Sequence, residues 1–268
     1  MCTDRRLCIG LARREFLQIR KGMLLFTILC FCIGSAGFSQ EIYNDFLQFK
    51  MRLYNIESQT ERQAQCEKYR TKIETAGLSG EETLMLLSLL TIEQADMTDK
   101  SRAKEKYMLL SEQNARCTAF MAGKKNSAVN ERLLTAWADI KSRLMAFLSG
   151  QELYNEAFLS RQLYTDALKK NKKCAQGYLS YGLWLFFAPP VAGGGHEAAL
   201  KEFSKAVAYS KTSEEKYFAL LYRSQAYSAL ENEKKAAADL RAAHELFPNE
   251  TFTEFVAQGN KSGKLFFE

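Results

Sequence analysis

From Glu41 onward, apolar residues recur every three or four positions in long runs broken by short polar or glycine-rich stretches. That interval places them on one side of an α-helix, where a strand would alternate them. Ile42, Phe46, Phe49 and Leu53 make the first stripe, and a polar break at Ser58 to Thr60 leads to a charged helix ending near Ala76. Ala76-Gly77-Leu78-Ser79-Gly80 is the first clear turn. Ser79 and Glu82 have the spacing of a capping box, so a helix is predicted to start there and carry Leu84, Leu87 and Leu90 inward. Thr98 and Asp99 end it and cap another, bearing Ala103, Tyr107 and Leu110. Leu133, Trp137, Ile140, Leu144 and Leu148 form the next stripe, closed by Gly150. Past Pro248, Thr251 and Glu254 repeat the capping-box spacing before Phe252, Phe255 and Val256, a terminal helix placed to cover the last apolar face. Gly259 to Gly263 then frees a tail carrying Leu265, Phe266 and Phe267.

Between Gln176 and Pro248 a second regularity overlies the first. Tyr227 is followed by Ala236, Leu240, Ala243 and Pro248. Two helices packed side by side need small residues at their crossing, which Ala236 and Ala243 supply, while Tyr227 and Leu240 fill the space around it. Pro248 ends the second helix, because its ring clashes with the preceding turn and it lacks an amide hydrogen. Upstream, Tyr178, Tyr181 and Gly182 on one helix face Ala199, Phe203 and Ala206 on its mate, and Ser160, Tyr164 and Ala167 repeat the small, aromatic, small order.

These residues resemble the tetratricopeptide repeat, whose tryptophan, leucine, glycine, tyrosine, alanine, phenylalanine and proline recur with a period of roughly thirty-four residues. The match is best over Leu220 to Pro248, good over Tyr178 to Ala206, and covers about half the chain. Gly182 and Ala199 stand further apart than the family's spacing, and the terminal proline is missing from the earlier units. The resemblance implies an all-α chain of antiparallel helix pairs stacked as an α-solenoid. The first helices of its units would line a concave groove holding a partner segment. Gln176, Leu179, Leu183, Phe186 and Phe187 would face that groove, with Phe218, Leu221, Gln225 and Ser228 beside them; alternatively the N-terminal helices or the tail cover this face. So apolar a lining implies an apolar ligand.

Composition agrees with helices throughout: of 268 residues only 3 are proline, and 47% are apolar. The formal charge of +6 is concentrated at the start. Arg5, Arg6, Arg13, Arg14, Arg20 and Lys21 precede residue 40 with only Asp4 and Glu15, leaving 31 basic against 29 acidic residues, a balance of +2. No basic stripe with interleaved aromatics remains to hold a phosphate backbone, so nucleic acid is not an expected partner. Residues 1–39 read as an export signal, with the basic start, the apolar run Met23 to Ile33 and small residues up to Ser39. An uncleaved membrane anchor over residues 22–38 is the alternative. Ala12-Arg13-Arg14-Glu15-Phe16-Leu17-Gln18 also resembles a twin-arginine signal, and Met23 is a second candidate start. The expected organisation is a leader over 1–39, an N-terminal helical region over 40–125, repeats with a closing helix over 126–258, and a tail over 259–268.

Little in the chain points to catalysis. His196 and His244 have no His or Cys partner at metal-ligand spacing, and no nucleophile sits with a base. Neither a cofactor motif nor a metal site is expected. Four cysteines lie in the leader; Cys66, Cys117 and Cys174 either include one disulfide pair or are all small core residues. Ala188-Pro189-Pro190-Val191-Ala192-Gly193-Gly194-Gly195 interrupts the middle unit, and no Gly-Lys-Ser/Thr follows to make a nucleotide loop. This break is similar to one in the periplasmic tetratricopeptide-repeat subunit that accompanies the binding proteins of TRAP-type solute transporters. Two expectations follow. The first is an exported, non-enzymatic scaffold that binds a protein segment in the cell envelope. The second is a transporter accessory subunit that meets a solute-binding protein or a small apolar ligand.

Overall fold

The computed structural model describes residues 40–265; residues 1–39, where an export signal or anchor is expected, and the last three residues lie outside them. The chain divides into a unit ending at Asp45 and a second, Phe46–Glu268. Residues 40–45 of the first are helical. The second opens with the helical residues 46–54, α1. There follow α2 (Gln59–Thr75), α3 (Gly80–Met97), α4 (Ala103–Met121), α5 (Glu131–Leu144), α6 (Gly150–Lys170) and α7 (Ala175–Phe187). α8 (His196–Tyr209), α9 (Ser213–Ala229), α10 (Glu233–Leu246) and α11 (Phe252–Ser262) complete it. Among the described residues there is no strand. The fold is all-α, with consecutive helices packed against each other as a solenoid-like series of antiparallel pairs.

Side-chain caps fix where the helices begin. Ser58 caps α2, Asn130 caps α5, Thr212 caps α9 and Asn232 caps α10, each accepting from a first-turn amide. Ser79 and Glu82 close the full reciprocal box at the start of α3. At α11 the expected box is absent: Thr251 makes no side-chain cap, its backbone being already helical at φ −68° and ψ −20° rather than extended, and its hydroxyl is turned to Asn55 Oδ1 at 2.8 Å. Gly150 opens α6 where the stripe pattern placed a stop, a 3-10 turn over Met145–Phe147 having already ended α5. Gly259 lies within α11, whose left-handed terminator is Gly263.

The pairs α5–α6, α7–α8 and α9–α10 pack most extensively, and α3–α4 packs as a looser one. First members lie side by side, α3 on α5, α5 on α7 and α7 on α9. Small residues sit where helices meet, with Ala199, Phe203 and Ala206 of α8 wholly buried and Ala236 and Ala243 buried where α10 packs on α9. Gly182 lies so near α8 that a Cβ would stand 2.6 Å from the Phe203 ring. On α6, Ser160, Tyr164 and Ala167 are buried in the same way. Tyr178 packs its ring against Tyr209, Tyr227 lies between Arg223 and Lys235, Leu240 is half-buried, and Pro248 stands exposed beyond the end of α10.

The row of first helices returns on itself. Phe49 of α1 stacks on Tyr69 of α2 at 4.0 Å, and Lys50 and Tyr54 bond Glu93 of α3 at 2.6 and 3.1 Å. The same α1 reaches α9 and α11: Gln48 donates to Glu214, Lys50 stands 5.0 Å from the Phe218 ring centroid, and Tyr54 stacks on Phe252 at 4.0 Å. This closure covers α3 and α9, and α5 is enclosed by α3, α4, α6 and α7; all three carry long runs of buried residues.

Candidate functional site

With α1 and α11 against α9, the face expected to line an open groove is interior. Phe218, Leu221 and Gln225 are buried at 2%, 1% and 3% exposure. Gln176 is buried too, accepting from Arg132 Nη1 at 3.2 Å, while Arg132 Nη2 pairs with Glu215 at 3.1 Å. Ser228 is half-buried and donates to Asn260 O. Leu179, Leu183 and Phe186 on α7 are partly accessible, and Phe187 is 58% exposed. Phe186 stacks on His196 at 4.5 Å. Of the expected groove residues, Leu183 and Phe187 line a cavity, described next, and the other seven do not.

That cavity, about 740 Å³, lies where α5, α6 and α7 meet the Pro-Gly loop. Leu153, Tyr154 and Ala157 of α6 face Leu183, Trp184 and Phe187 of α7 across it, and Val191 comes from the loop. Tyr154 and Val191 are 73% and 96% exposed and mark its mouth, with Phe158 exposed further along α6. The loop's glycines do not leave it free. Pro190–Ala192 forms a 3-10 turn, Gly193 is left-handed at φ 79°, and Gly195 N–H donates to Leu185 O at 2.9 Å. A Cβ on Gly194 would fall on the Ala188 carbonyl, so glycine there permits a close approach that holds Val191 at the rim.

The floor is polar and comes from five helices. Arg143 of α5 clasps Asp96 of α3 with two hydrogen bonds, 2.8 and 2.6 Å. Asp139, one turn before Arg143, accepts from Tyr164 Oη on α6 and Ser180 Oγ on α7, both at 2.7 Å. Ser142 Oγ lies 3.0 Å from Tyr164 Oη, and Lys106 of α4 completes the lining. Burial works against ionising Asp96, but the adjoining guanidinium outweighs it and holds its carboxyl below the ordinary range. For Asp139 burial prevails over Arg143 and the two hydroxyls, and its carboxyl is pushed up. Burial and the Asp139 charge raise the Tyr164 phenol well above its usual value.

No residue of this floor was singled out by spacing as a site; Tyr164 entered only as a repeat position. The available signal was local: Asp139 and Arg143 are ionisable positions interleaved with the α5 stripe of Leu133, Ile140 and Leu144, where burial demands partners. Cys66, Cys117 and Cys174 are free and buried, and desolvation pushes the Cys66 thiol up to about 12 and that of Cys117 to about 11. Among the described residues no cluster of His, Cys, Asp or Glu is arranged to hold a metal, and no helix is long and apolar enough to cross a membrane. The arrangement defines a helical-pair protein with an apolar cavity over a polar floor. Compared with known proteins, the chain matches no family model and none of the curated proteins.

Proposed function

We propose that this chain is an exported, non-enzymatic protein of the tetratricopeptide-repeat type whose binding site is the cavity between α5, α6 and α7, and that it holds a small ligand with an apolar body. The supporting observation is the cavity itself: its volume lies within the range of small-molecule sites, its walls are apolar, and a few buried polar groups converge at one end. This favours the accessory-subunit expectation, in which a small apolar ligand is held, over a partner segment laid along the first helices. The exposed Tyr154 and Val191 at the mouth, with Phe158 exposed further along α6, support a second reading, in which a companion protein docks over the opening and exchanges ligand with it. Export rests on the leader, outside the described residues.

Nile red, an uncharged apolar dye, tests the site. Saturable binding with one equivalent per chain is expected. Ala157→Phe, which fills the cavity from α6, should weaken it at least tenfold, and Leu183→Ser with Phe187→Ser should do the same at little cost in melting temperature. Dye uptake that does not saturate, or that ignores all three substitutions, contradicts the assignment.

A further inference from the structure

Every carboxylate oxygen on the cavity floor is already supplied with a donor, those of Asp96 by Arg143 and those of Asp139 by Tyr164 and Ser180. What the walls hold in excess is donors. Lys106, half-buried on α4, lines the cavity and forms neither a hydrogen bond nor an ion pair with any described residue; its charge reaches Asp96 only through space. Trp184, 7% exposed, lines the cavity as well, and its Nε1 is buried with no acceptor. The chain's other indole shows the ordinary arrangement, Trp137 Nε1 donating to Asn114 Oδ1 at 2.8 Å. A buried N–H without an acceptor is costly, and a lone ammonium beside apolar walls attracts an anion.

We infer that the cavity takes an amphipathic anion, its apolar chain against Leu153, Ala157, Leu183 and Phe187 and its carboxylate head accepting from Lys106 Nζ and Trp184 Nε1. Nε1 is covered in the described conformation, so the head reaches it as the ring tilts toward the cavity. The inference rests on the cavity being the ligand site proposed above. Asp139 carries the opposing charge nearby, and its burial moves it toward the neutral form, which eases entry of an anion. An ammonium head finds no carboxylate oxygen lacking a donor and is repelled by Lys106. An alcohol leaves the Lys106 charge unmatched.

Calorimetric titration of the full chain with decanoate, decanol and decylammonium, each below its micelle concentration, tests this. Decanoate should bind roughly tenfold more tightly than decanol, as expected of hydrogen bonds to a charged group, and decylammonium most weakly. Lys106→Gln should bring decanoate down to the level of decanol while leaving decanol binding and melting temperature unchanged, and Trp184→Phe, which also alters the apolar wall, should narrow the ratio of decanoate to decanol affinity. Equal binding of decanoate and decanol, or a preference that survives both substitutions, overturns the anion assignment and leaves the cavity a ligand site. Absence of binding by all three overturns the ligand site and the anion with it. Lys106 is half-exposed, so Lys106→Gln carries the test alone should Trp184→Phe not fold.

Discussion

Asp96 and Asp139 both feel the charge of Arg143, yet their carboxyls shift in opposite directions. The difference is geometric. Arg143 gives Asp96 two side-chain hydrogen bonds, whereas toward Asp139 it reaches only the backbone carbonyl, at 3.3 Å. A raised carboxyl in the folded state binds its proton more tightly than in the unfolded chain. The contribution of Asp139 to stability is therefore full below about pH 4 and declines as pH rises through its folded value. The lowered Asp96 works the other way, stabilising above about pH 4 and losing that as pH falls through its folded value. Asp139→Asn keeps one acceptor oxygen and removes the buried charge. Melting temperature followed against pH should lose the decline on the alkaline side of pH 4 and keep the acid-side loss due to Asp96. Identical profiles for the two proteins would show that Asp139 is not held in the environment described.

At the scale of elements, the pairing of α7 with α8 depends on one missing side chain. A Cβ on Gly182 would meet the Phe203 ring at 2.6 Å, and that ring is wholly buried with no room to retreat. Gly182→Ala should cost about 1–3 kcal/mol in denaturant unfolding, despite alanine's better helix propensity. Gly80→Ala, in the first turn of α3 with nothing within 4 Å of the added carbon, should change stability by less than about 0.5 kcal/mol. This pairing was legible in the sequence, because the small and aromatic residues that form it lie within neighbouring helices. So was the start of α3, whose cap depends on Ser79 and Glu82 alone. The cap of α11 was not. Thr251 has the right spacing to Glu254, but its backbone is helical and its hydroxyl is turned to Asn55, 196 residues away, and no local pattern carries that contact.

The same limit applies to the larger unit as a whole. An apolar stripe such as Phe218 and Leu221 on α9 reads identically whether it lines an open groove or faces another helix of the same chain. What decides is the return of α1 to α9 and to the start of α11, carried by Gln48 with Glu214 and by Asn55, just past α1, with Glu250 and Thr251, pairs 166 to 196 positions apart. Helix content and pair order followed from periodicity. The site did not, since Asp96, Lys106, Arg143, Tyr164 and Trp184 come from five helices and meet only after the pairs stack. Closure leaves the cavity as the candidate place where an apolar molecule enters between the pairs. Trp184 sits in its wall, and Trp137 is the chain's other tryptophan. In Trp137→Phe, titration with 2-bromodecanoate, which carries its bromine beside the carboxylate, reads the site directly, because bromine quenches an indole only near contact. Saturable loss of most of the Trp184 emission, reversed by Ala157→Phe, is the predicted result. Emission that stays constant while calorimetry records the ligand binding would place the site elsewhere and contradict the assignment.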